Sequence, residues 1–364
     1  MKKLFFILIV SACSNGAWAQ NDCGTKPPPE AVYDQTLARM RLQQRPTAEP
    51  TKYIRVFIVD FLNDAGTDSS WGKEEIKREF QLAKDLMKPY GICLVLEGIE
   101  YVPNTALQNA NTDTDEAAIV AASHHSDCLN IYLHQTLVNS DGGLNGIAYN
   151  IISDRLSLSR GAINNRSMAH EVGHCFGLLH TFETMYGTEC PDGSNSLTTG
   201  DKMIDTRATP SDDRFMQSNT NNCIYSGTMF IFCNGATRTY NPEITNLMCY
   251  GDRACRADFS NNQHLLMHSV LFNNLFPLIA FLPNGNYISN QYITYDALFL
   301  GNYVEIGNGS SAINTILGFN AQQRYLSQGQ VKIRAGTRIK TTSDRAKVVI
   351  KSTSICDEIL SASF

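Results

Sequence analysis

The stretch H-E-V-G-H-C-F-G-L-L-H occupies residues 170–180 and defines the centre of the fold. His170 and His174 are four residues apart, so on a helix both imidazoles project from one face and can bind one Zn²⁺. Gly177 can end such a helix, because glycine adopts the left-handed conformation without strain. The chain then turns back and brings His180 to a third position on the metal, which leaves a fourth position for water.

The glutamate inside this motif has a separate role. Glu171 follows the first histidine and is predicted to reach the water on the metal, as a general base, rather than the metal itself. Histidine makes up only 8 of the 364 residues. At that frequency the whole pattern arises by chance in roughly one of 10⁵ chains of this length. The motif therefore predicts a catalytic zinc site rather than incidental histidines on an amphipathic helix.

The same pattern is the signature of the metzincin metallopeptidases. Farther along are N-P-E-I-T-N-L-M-C-Y at residues 241–250, G-D-K-M-I-D-T at 200–206 and H-T-F-E at 180–183. With these stretches the chain resembles the pappalysin family of bacterial, secreted metzincins over roughly residues 53–281. The resemblance implies an α/β metzincin-like catalytic domain with a twisted mixed sheet, a zinc helix and an irregular lower subdomain that carries a Met-containing turn.

The resemblance also implies roles for residues of the lower subdomain. Met248 matches the methionine that packs beneath the metal ligands, and Tyr250 matches the tyrosine that approaches the oxyanion formed during catalysis. The chain departs from the family pattern at Cys249 and at Arg207. Arg253 lies where family members that cleave before arginine have an acidic residue. It is expected to disfavour basic substrate side chains and to favour acidic ones; the alternative is a solvated surface position.

Eleven cysteines in a chain with an export signal predict disulfide bonds. By resemblance to the family, Cys190 is expected to pair with Cys223, and Cys233 with Cys255. Sequence spacing alone does not fix this connectivity. The candidates for a third bridge, or else for buried thiols in strand-like segments, are Cys93 and Cys128.

An early, isolated cysteine predicts a latent proenzyme. Cys23 begins the sequence C-G-T, and a thiolate is a strong zinc ligand that can occupy the water position of a catalytic site. Bacterial pappalysin-like proenzymes resemble this arrangement. Cys23 is therefore the predicted latency switch, with a free or disulfide-bonded terminal cysteine as the alternative. Activation cleavage is expected near Arg45 or Lys52.

The amino terminus predicts export. Two lysines and an apolar run ending at Val10 form a signal-peptide pattern that is too short for a permanent membrane anchor. An A-x-A site before Gln20 favours a signal peptide over residues 1–19 and soluble secretion. The alternative is a lipid anchor at the bacterial cell surface through Cys13, because V-S-A-C resembles a lipobox. No later segment is apolar enough for an integral membrane span, and a net charge of −5 argues against a nucleic-acid partner.

The domain boundaries follow from changes in composition. Residues 20–52 are polar and proline-rich, and we predict a pro-segment with a short helix over 30–44. Residues 53–282 form the predicted catalytic domain, with strands over 53–59 and 129–133, a strand or hairpin arm over 92–102 and a helix over 73–88. Within it, 146–152 is the candidate strand for binding substrate. Residues 283–364 contain short β-type runs punctuated by glycine. They predict a small all-β carboxy-terminal module, either a sandwich or a solenoid-like ladder.

These observations predict a zinc endopeptidase that acts on protein or peptide substrates, with one catalytic Zn²⁺. Structural Ca²⁺ is a further expectation, because family members hold calcium after the zinc motif and oxygen-rich loops suit it. The carboxylates in that region are Glu183, Asp192, Asp201 and Asp205. An exopeptidase would need a group that captures a substrate terminus, and none is identifiable. A cell-surface binding protein with a vestigial protease module conflicts with the intact motif.

Overall fold

The computed structural model describes residues 21–42, 51–211, 213–275 and 278, seven strands of the carboxy-terminal part, and Cys356. The predicted signal peptide, Cys13 and Arg45 lie outside the described residues. Among the helices of the described part, none has the length and apolar character needed to cross a membrane.

An eight-stranded mixed sheet forms the framework of the catalytic region. Its strands are β1 (Asn21–Cys23), β2 (Lys52–Leu62), β3 (Ile92–Pro103), β4 (Asn109–Asn111), β5 (Leu129–His134), β6 (Thr136–Asn139), β7 (Gly142–Ala148) and β8 (Arg155–Ser159). Seven of them follow the order β3-β2-β5-β8-β7-β6-β4, and β1 pairs with β7 from outside this path. β3, β2, β5 and β8 are parallel, whereas β7 is antiparallel to β6 and β8.

The helices are α1 (Glu30–Leu42), α2 (Lys73–Met87), α3 (Thr105–Gln108), α4 (Glu116–Ala122), α5 (Ser167–Cys175), α6 (Asp213–Ser218) and α7 (Asn261–Asn273). In α2, apolar residues recur every three or four positions, and Ile76, Phe80, Ala83 and Met87 are all buried. They pack in one hydrophobic core with β2, β3 and α5. This core holds α5, which carries the zinc motif, against the sheet. We call residues 52–175 the upper half of the catalytic region.

The predicted elements of the upper half are confirmed with small shifts at their ends, apart from the substrate-binding strand. The strand predicted over 146–152 is β7, and it ends at Ala148. The following residues turn away: Ile152 has a φ of 70°, and the backbone N–H of Ile152 donates to the carbonyl of His174. The N–H of the next residue donates to the carbonyl of Cys175. These residues satisfy carbonyls at the end of α5 instead of extending the sheet.

Residues 176–260, which we call the lower half, contain little regular structure. Besides α6, it has four short strands: β9 (Thr220–Asn221), β10 (Ile224–Tyr225), β11 (Phe230–Cys233) and β12 (Ala236–Thr239). β9 pairs with β10, and β11 pairs with β12, both in antiparallel fashion. The irregular subdomain that the family resemblance implies is therefore present.

The four cysteines expected to form disulfides in the lower half do so, but with exchanged partners. Cys190 is bonded to Cys233, and Cys223 is bonded to Cys255, with Cα atoms 6.0 and 5.3 Å apart. Both distances lie in the ordinary range for a disulfide. The predicted pairs Cys190–Cys223 and Cys233–Cys255 were wrong.

The β11–β12 hairpin is the physical reason for the exchange. The side chain of Asn234, at the tip of the hairpin, donates a hydrogen bond to Ser194, and Arg238 forms an ion pair of 2.9 Å with Asp192. These contacts hold the end of β11 against the loop that follows Cys190. Non-local contacts of this kind leave no trace in the spacing of cysteines.

The two candidates for a third bridge are not joined to each other. Cys93 and Cys128 are both buried, free thiols, as the second alternative expected. The side chain of Cys93 hydrogen-bonds with that of Cys356. The thiol of Cys128 lies 3.6 Å from Oε2 of Glu97.

The strands described in the carboxy-terminal part are β13 (Asn284–Tyr287), β14 (Tyr292–Ile293), β15 (Ala297–Ile306), β16 (Ile313–Leu317), β17 (Gln322–Ile333), β18 (Thr337–Thr341) and β19 (Lys347–Ser352). Alternate strands pair in parallel, in the orders β13-β15-β17-β19 and β14-β16-β18. Sandwiches of the immunoglobulin type pair their strands in antiparallel fashion. Of the two alternatives, parallel pairing favours the ladder. The limits of this part as a separate domain remain a prediction.

Candidate metal centre

Helix α5 and the turn after it bring three histidine rings to one point. His170 and His174 lie one turn apart on α5, and both are buried. Gly177, with a φ of 99°, reverses the chain so that His180 folds back towards the helix. The three Nε2 atoms lie 3.0 to 3.2 Å from one another. Three nitrogens bound to one tetrahedral Zn²⁺ lie about 3.3 Å apart, so this spacing fits a single ion.

The second ring nitrogen fixes the tautomer of two of these histidines. His170 Nδ1 lies 2.7 Å from the carbonyl oxygen of Leu247, and His174 Nδ1 lies 2.7 Å from that of Leu178. A carbonyl only accepts, so each Nδ1 carries the proton and each Nε2 presents a lone pair. Burial lowers the pKa of both imidazoles, that of His174 to about 4, so both are neutral. Lone pairs that face each other at this distance favour a bound cation, and the residues present therefore fit a metal ion.

Glu171 is completely buried beside the histidines. Its Oε2 accepts hydrogen bonds from Thr25 Oγ1 at 3.1 Å and from Cys23 Sγ at 3.4 Å. The carboxylate also lies against the backbone of β7, because a Cβ atom at Gly146 would come within 2.7 Å of Glu171 Oε1. Glycine at this position therefore gives the predicted base its place beside the strand. The sequence analysis did not identify this role of Gly146.

The sequence Cys23-Gly24-Thr25 crosses the metal centre. β1 runs parallel to β7 with Cys23 opposite Gly146, and Gly24 N donates to the carbonyl of Gly146 at 2.9 Å. Cys23 Sγ and one nitrogen of each histidine lie within 4.8 Å of one another, and burial raises the pKa of this thiol well above its ordinary value. The residue predicted as a latency switch thus lies at the metal centre, beside the strand expected to bind substrate.

The Met-containing turn lies directly under α5. Met248 is fully buried, and its Sδ lies only 2.7 Å from the place where a Cβ atom on Gly173 would be. Its backbone N–H donates to Asn246 Oδ1 at 2.9 Å, and its carbonyl accepts from Thr181 N at 3.1 Å. The Asn246 amide in turn donates to Gln263 of α7 at 2.8 Å. The sequence analysis missed Asn246 and Gln263, because only the folded chain brings α7 beside the turn.

Tyr250 lies beside the third histidine. Its ring centroid is 5.1 Å from that of His180 and 4.2 Å from that of Phe182. The guanidinium of Arg256 lies over the Tyr250 ring at 5.6 Å and is 1% exposed. Arg253, the predicted pocket residue, begins a short 3-10 turn and is only partly buried. The structure thus brings a second arginine, which was not predicted, into contact with Tyr250.

Comparison with known families agrees with this geometry. The family model described as pregnancy-associated plasma protein-A, a peptidase family, matches residues 126–272. The matched span contains the three histidines, Met248 and Tyr250. Residues 126–272 thus belong to the pappalysin family of metallopeptidases.

One curated protein and one solved structure illustrate the extent of the similarity. An extracellular metalloprotease of Colletotrichum graminicola is 26% identical over 298 residues, which are 73% of this chain and 96% of that protein. The solved structure of a mutant of Tannerella forsythia promirolysin is 16% identical, with a TM-score of 0.46. That similarity covers 70% of this chain and 94% of the promirolysin chain.

The carboxylates expected to bind calcium are dispersed in the pappalysin structure. Glu183 accepts hydrogen bonds from the two backbone N–H groups that follow it, and Asp192 binds Arg238. Asp201 is buried and accepts from Thr206, and Asp205 accepts from Ser260 and Asn262. A further buried carboxylate, Glu189, was missed, and in the described part of the chain neither of its oxygens has a hydrogen-bond partner.

Proposed function

We propose that this pappalysin is a secreted, zinc-dependent endopeptidase that is made as a latent proenzyme. The observation that carries the proposal is the convergence of three histidine Nε2 atoms within 3.2 Å of one another, beside a buried glutamate. Secretion is supported by the signal-peptide pattern and by the relative described as extracellular. The intact site favours catalysis over a binding role.

The histidines at 170, 174 and 180 would hold one Zn²⁺, which supplies a lowered water pKa and polarisation of the substrate carbonyl when it is bound. Glu171 takes a proton from the attacking water and passes it to the leaving amine, as general base and then general acid. Tyr250 donates a hydrogen bond to the oxyanion of the tetrahedral intermediate. Met248 fills the space under α5 and supports the position of the ligands.

Latency rests on two contacts of the pro-segment at the same site. Cys23 would take the ligand position that a water needs, and a bound cation would favour its thiolate form. Thr25 binds the Glu171 oxygen that would accept a proton. The pro-segment also runs parallel to β7, whereas substrate is expected to bind antiparallel. Its peptide bonds therefore have the reverse direction to those of a substrate, which explains why the pro-segment can cross the site without being cut there.

Substrate preference and calcium belong to the same proposal. Arg253, together with the buried Arg256, places positive charge near Tyr250, and this favours acidic over basic side chains in the adjoining pocket. Calcium would bind in the lower half, where Asp201 and Glu189 are buried. Burial, followed by the charge of Asp201, raises the pKa of Glu189 to about 8, and a divalent cation would relieve this penalty.

The test is digestion of casein by the full-length protein after limited cleavage of its pro-segment and removal of the amino-terminal fragment at high salt. We expect activity that disappears with a chelator, returns with zinc and is absent from the Glu171→Ala variant. The control is Glu74→Ala, which changes an exposed glutamate of α2 and should retain activity. Sequencing of the fragments by mass spectrometry reports the preference. An inactive wild-type protein that is folded and zinc-loaded, or activity that persists in Glu171→Ala, would overturn the proposal.

A further inference from the structure

The pro-segment makes a second set of contacts, away from the metal centre. On α1, Tyr33 and Leu37 are each 1% exposed and belong to the main hydrophobic core. The ring of Tyr33 stacks on that of Tyr186 with centroids 5.9 Å apart, and the Tyr186 hydroxyl donates to the carbonyl of Pro28. α1 therefore packs on the lower half as an integral element, although the proposed activation removes it.

A buried lysine completes this contact. Lys202 is 3% exposed, and its Nζ lies 2.7 Å from a carboxylate oxygen of Glu30 and 2.7 Å from one of Asp34. The two acids are four residues apart, so they share one face of α1. The ammonium also lies 4.8 Å from the centroid of the Tyr186 ring. Burial disfavours the charged lysine, but the bonds to Asp34 and Glu30 outweigh burial and raise its pKa.

We propose that Tyr186 and Lys202 form a docking surface, here called the pro-helix surface, that retains α1 as a separate peptide after the chain has been cut. The inference rests on the proposed latency. Its partner is an amphipathic acidic helix with Glu30 and Asp34 beside the buried Tyr33, which is the amino-terminal fragment itself. A cut near Arg45 or Lys52 leaves every contact of this surface intact, as well as those of Cys23. Cleavage alone therefore does not open the site, and activity follows only when the fragment dissociates or is degraded.

The experiment measures retention of the fragment in the full-length protein. A Glu171→Ala background prevents self-digestion, and limited trypsin treatment cuts between α1 and β2. Size-exclusion chromatography with mass spectrometry then gives the amount of amino-terminal fragment that co-elutes. We expect co-elution at low salt and release at high salt. In Lys202→Met the dissociation constant of the fragment should rise about tenfold, because hydrogen bonds to a charged group are lost. A matched control is Lys77→Met, which alters another buried lysine that is paired with Glu74 at 3.0 Å.

Two further variants separate the pro-helix surface from the metal centre and from misfolding. Cys23→Ala should still retain the fragment, because α1 keeps its own contacts. Exchanging the charges, with Lys202→Glu combined with Glu30→Lys and Asp34→Lys, should restore the retention that Lys202→Met loses. The proposal is overturned if the fragment leaves the parent protein on cleavage, or if Cys23→Ala releases it while Lys202→Met does not. None of these readouts needs peptide hydrolysis, so they remain interpretable if casein is not digested.

Discussion

The upper and lower halves of the catalytic region are held together by different means. In the upper half, the sheet, α2 and α5 share a continuous apolar core, which reaches into the lower half only through scattered residues such as Met203 and Leu247. In the lower half, two disulfides and buried polar contacts such as that between Asn246 and Gln263 connect short, irregular pieces. The site needs both halves, because α5 supplies His170 and His174 and the lower half supplies His180. Regular secondary structure positions two ligands, and the turn at Gly177 with local backbone bonds positions the third.

The largest effect should come from the cross-links of the lower half. The Cys190–Cys233 bond joins residues that are 43 positions apart. Replacing both cysteines with serine should lower the free energy of unfolding by about 3–4 kcal/mol, because the unfolded chain regains loop entropy. Denaturant unfolding checks this value. The upper-half control is Cys128→Ala, for which we expect a loss of about 1 kcal/mol. Equal losses in the two variants would contradict the contrast between the halves.

The second effect tests whether the lower half contributes to chemistry as well as to shape. Tyr250→Phe keeps the ring that contacts His180 and Phe182 but removes the hydroxyl. We expect kcat to fall about a hundredfold with KM nearly unchanged, as for the loss of one oxyanion donor. Steady-state kinetics on a peptide substrate measures both constants. Tyr240→Phe is the control in the same half and should leave kcat as it is. A change confined to KM would argue against a role in the transition state.

The third effect concerns the junction of the two halves. Alanine at position 177 would have to adopt a φ of 99°, and its Cβ would lie 2.8 Å from Val270 Cγ2. We expect Gly177→Ala to cost about 2 kcal/mol of stability and to weaken zinc binding, because the turn sets the position of His180. Gly193→Ala is the matched control, since it also has a positive φ but its Cβ would meet no atom within 4 Å. Thermal unfolding and a competitive zinc chelator provide the two readouts. Equal zinc affinity in both variants would refute the role of the turn.

The smallest effect is an opposite response of the two halves to pH. Burial lowers the pKa of His134, in the upper half, to about 4 and, followed by the charge of Asp201, raises that of Glu189, in the lower half, to about 8. The histidine contribution is complete above its unfolded pKa and is lost as the pH falls from about 6.5 to about 4. The carboxylate contribution is complete below about 4.5 and is lost as the pH rises through about 8.

The slope from either group is at most about 1.4 kcal/mol per pH unit. The measurement is denaturant unfolding at a series of pH values. A chelator prevents metal binding, so the protons that metal binding would release do not contribute to the profile. Glu189→Gln should reduce the slope on the alkaline side of the stability profile, to which Asp60 and Asp201 also contribute because burial raises the pKa of each to about 7. It should leave the acid side unchanged, whereas His134→Gln should reduce the slope on the acid side only. If one substitution flattened both sides, the two groups would not be independent.

The same contrast explains which features the sequence predicted. The helical spacing of Ile76, Phe80, Ala83 and Met87 and the alternation along β2 are local patterns, so the upper-half elements were correct to within a few residues, except for the end of β7. The metal centre could also be predicted from the sequence, because its three histidines occupy one short motif and Cys23 lies in an unusual early position.

The lower half has no such periodicity, and its contacts join residues that are distant in sequence. The hairpin that brings Cys233 to Cys190 decided the disulfide pairing, and the sequence could not show it. Asn246 and Gln263 meet only after α7 has packed. Arg256 and Arg253 look alike in the sequence, and only the fold shows that Arg256 lies over Tyr250.

The disulfides of the lower half also bear on where the enzyme can finish folding. Reducing compartments keep cysteines in the thiol form, whereas the space outside the cytoplasm allows disulfide bonds to form. The third histidine and Tyr250 belong to the half that these bonds cross-link, so under the proposed secretion a newly made chain would complete its site only after export. The producing cell would then be protected from its own protease because the disulfides do not form in the cytoplasm, and not only by the pro-segment.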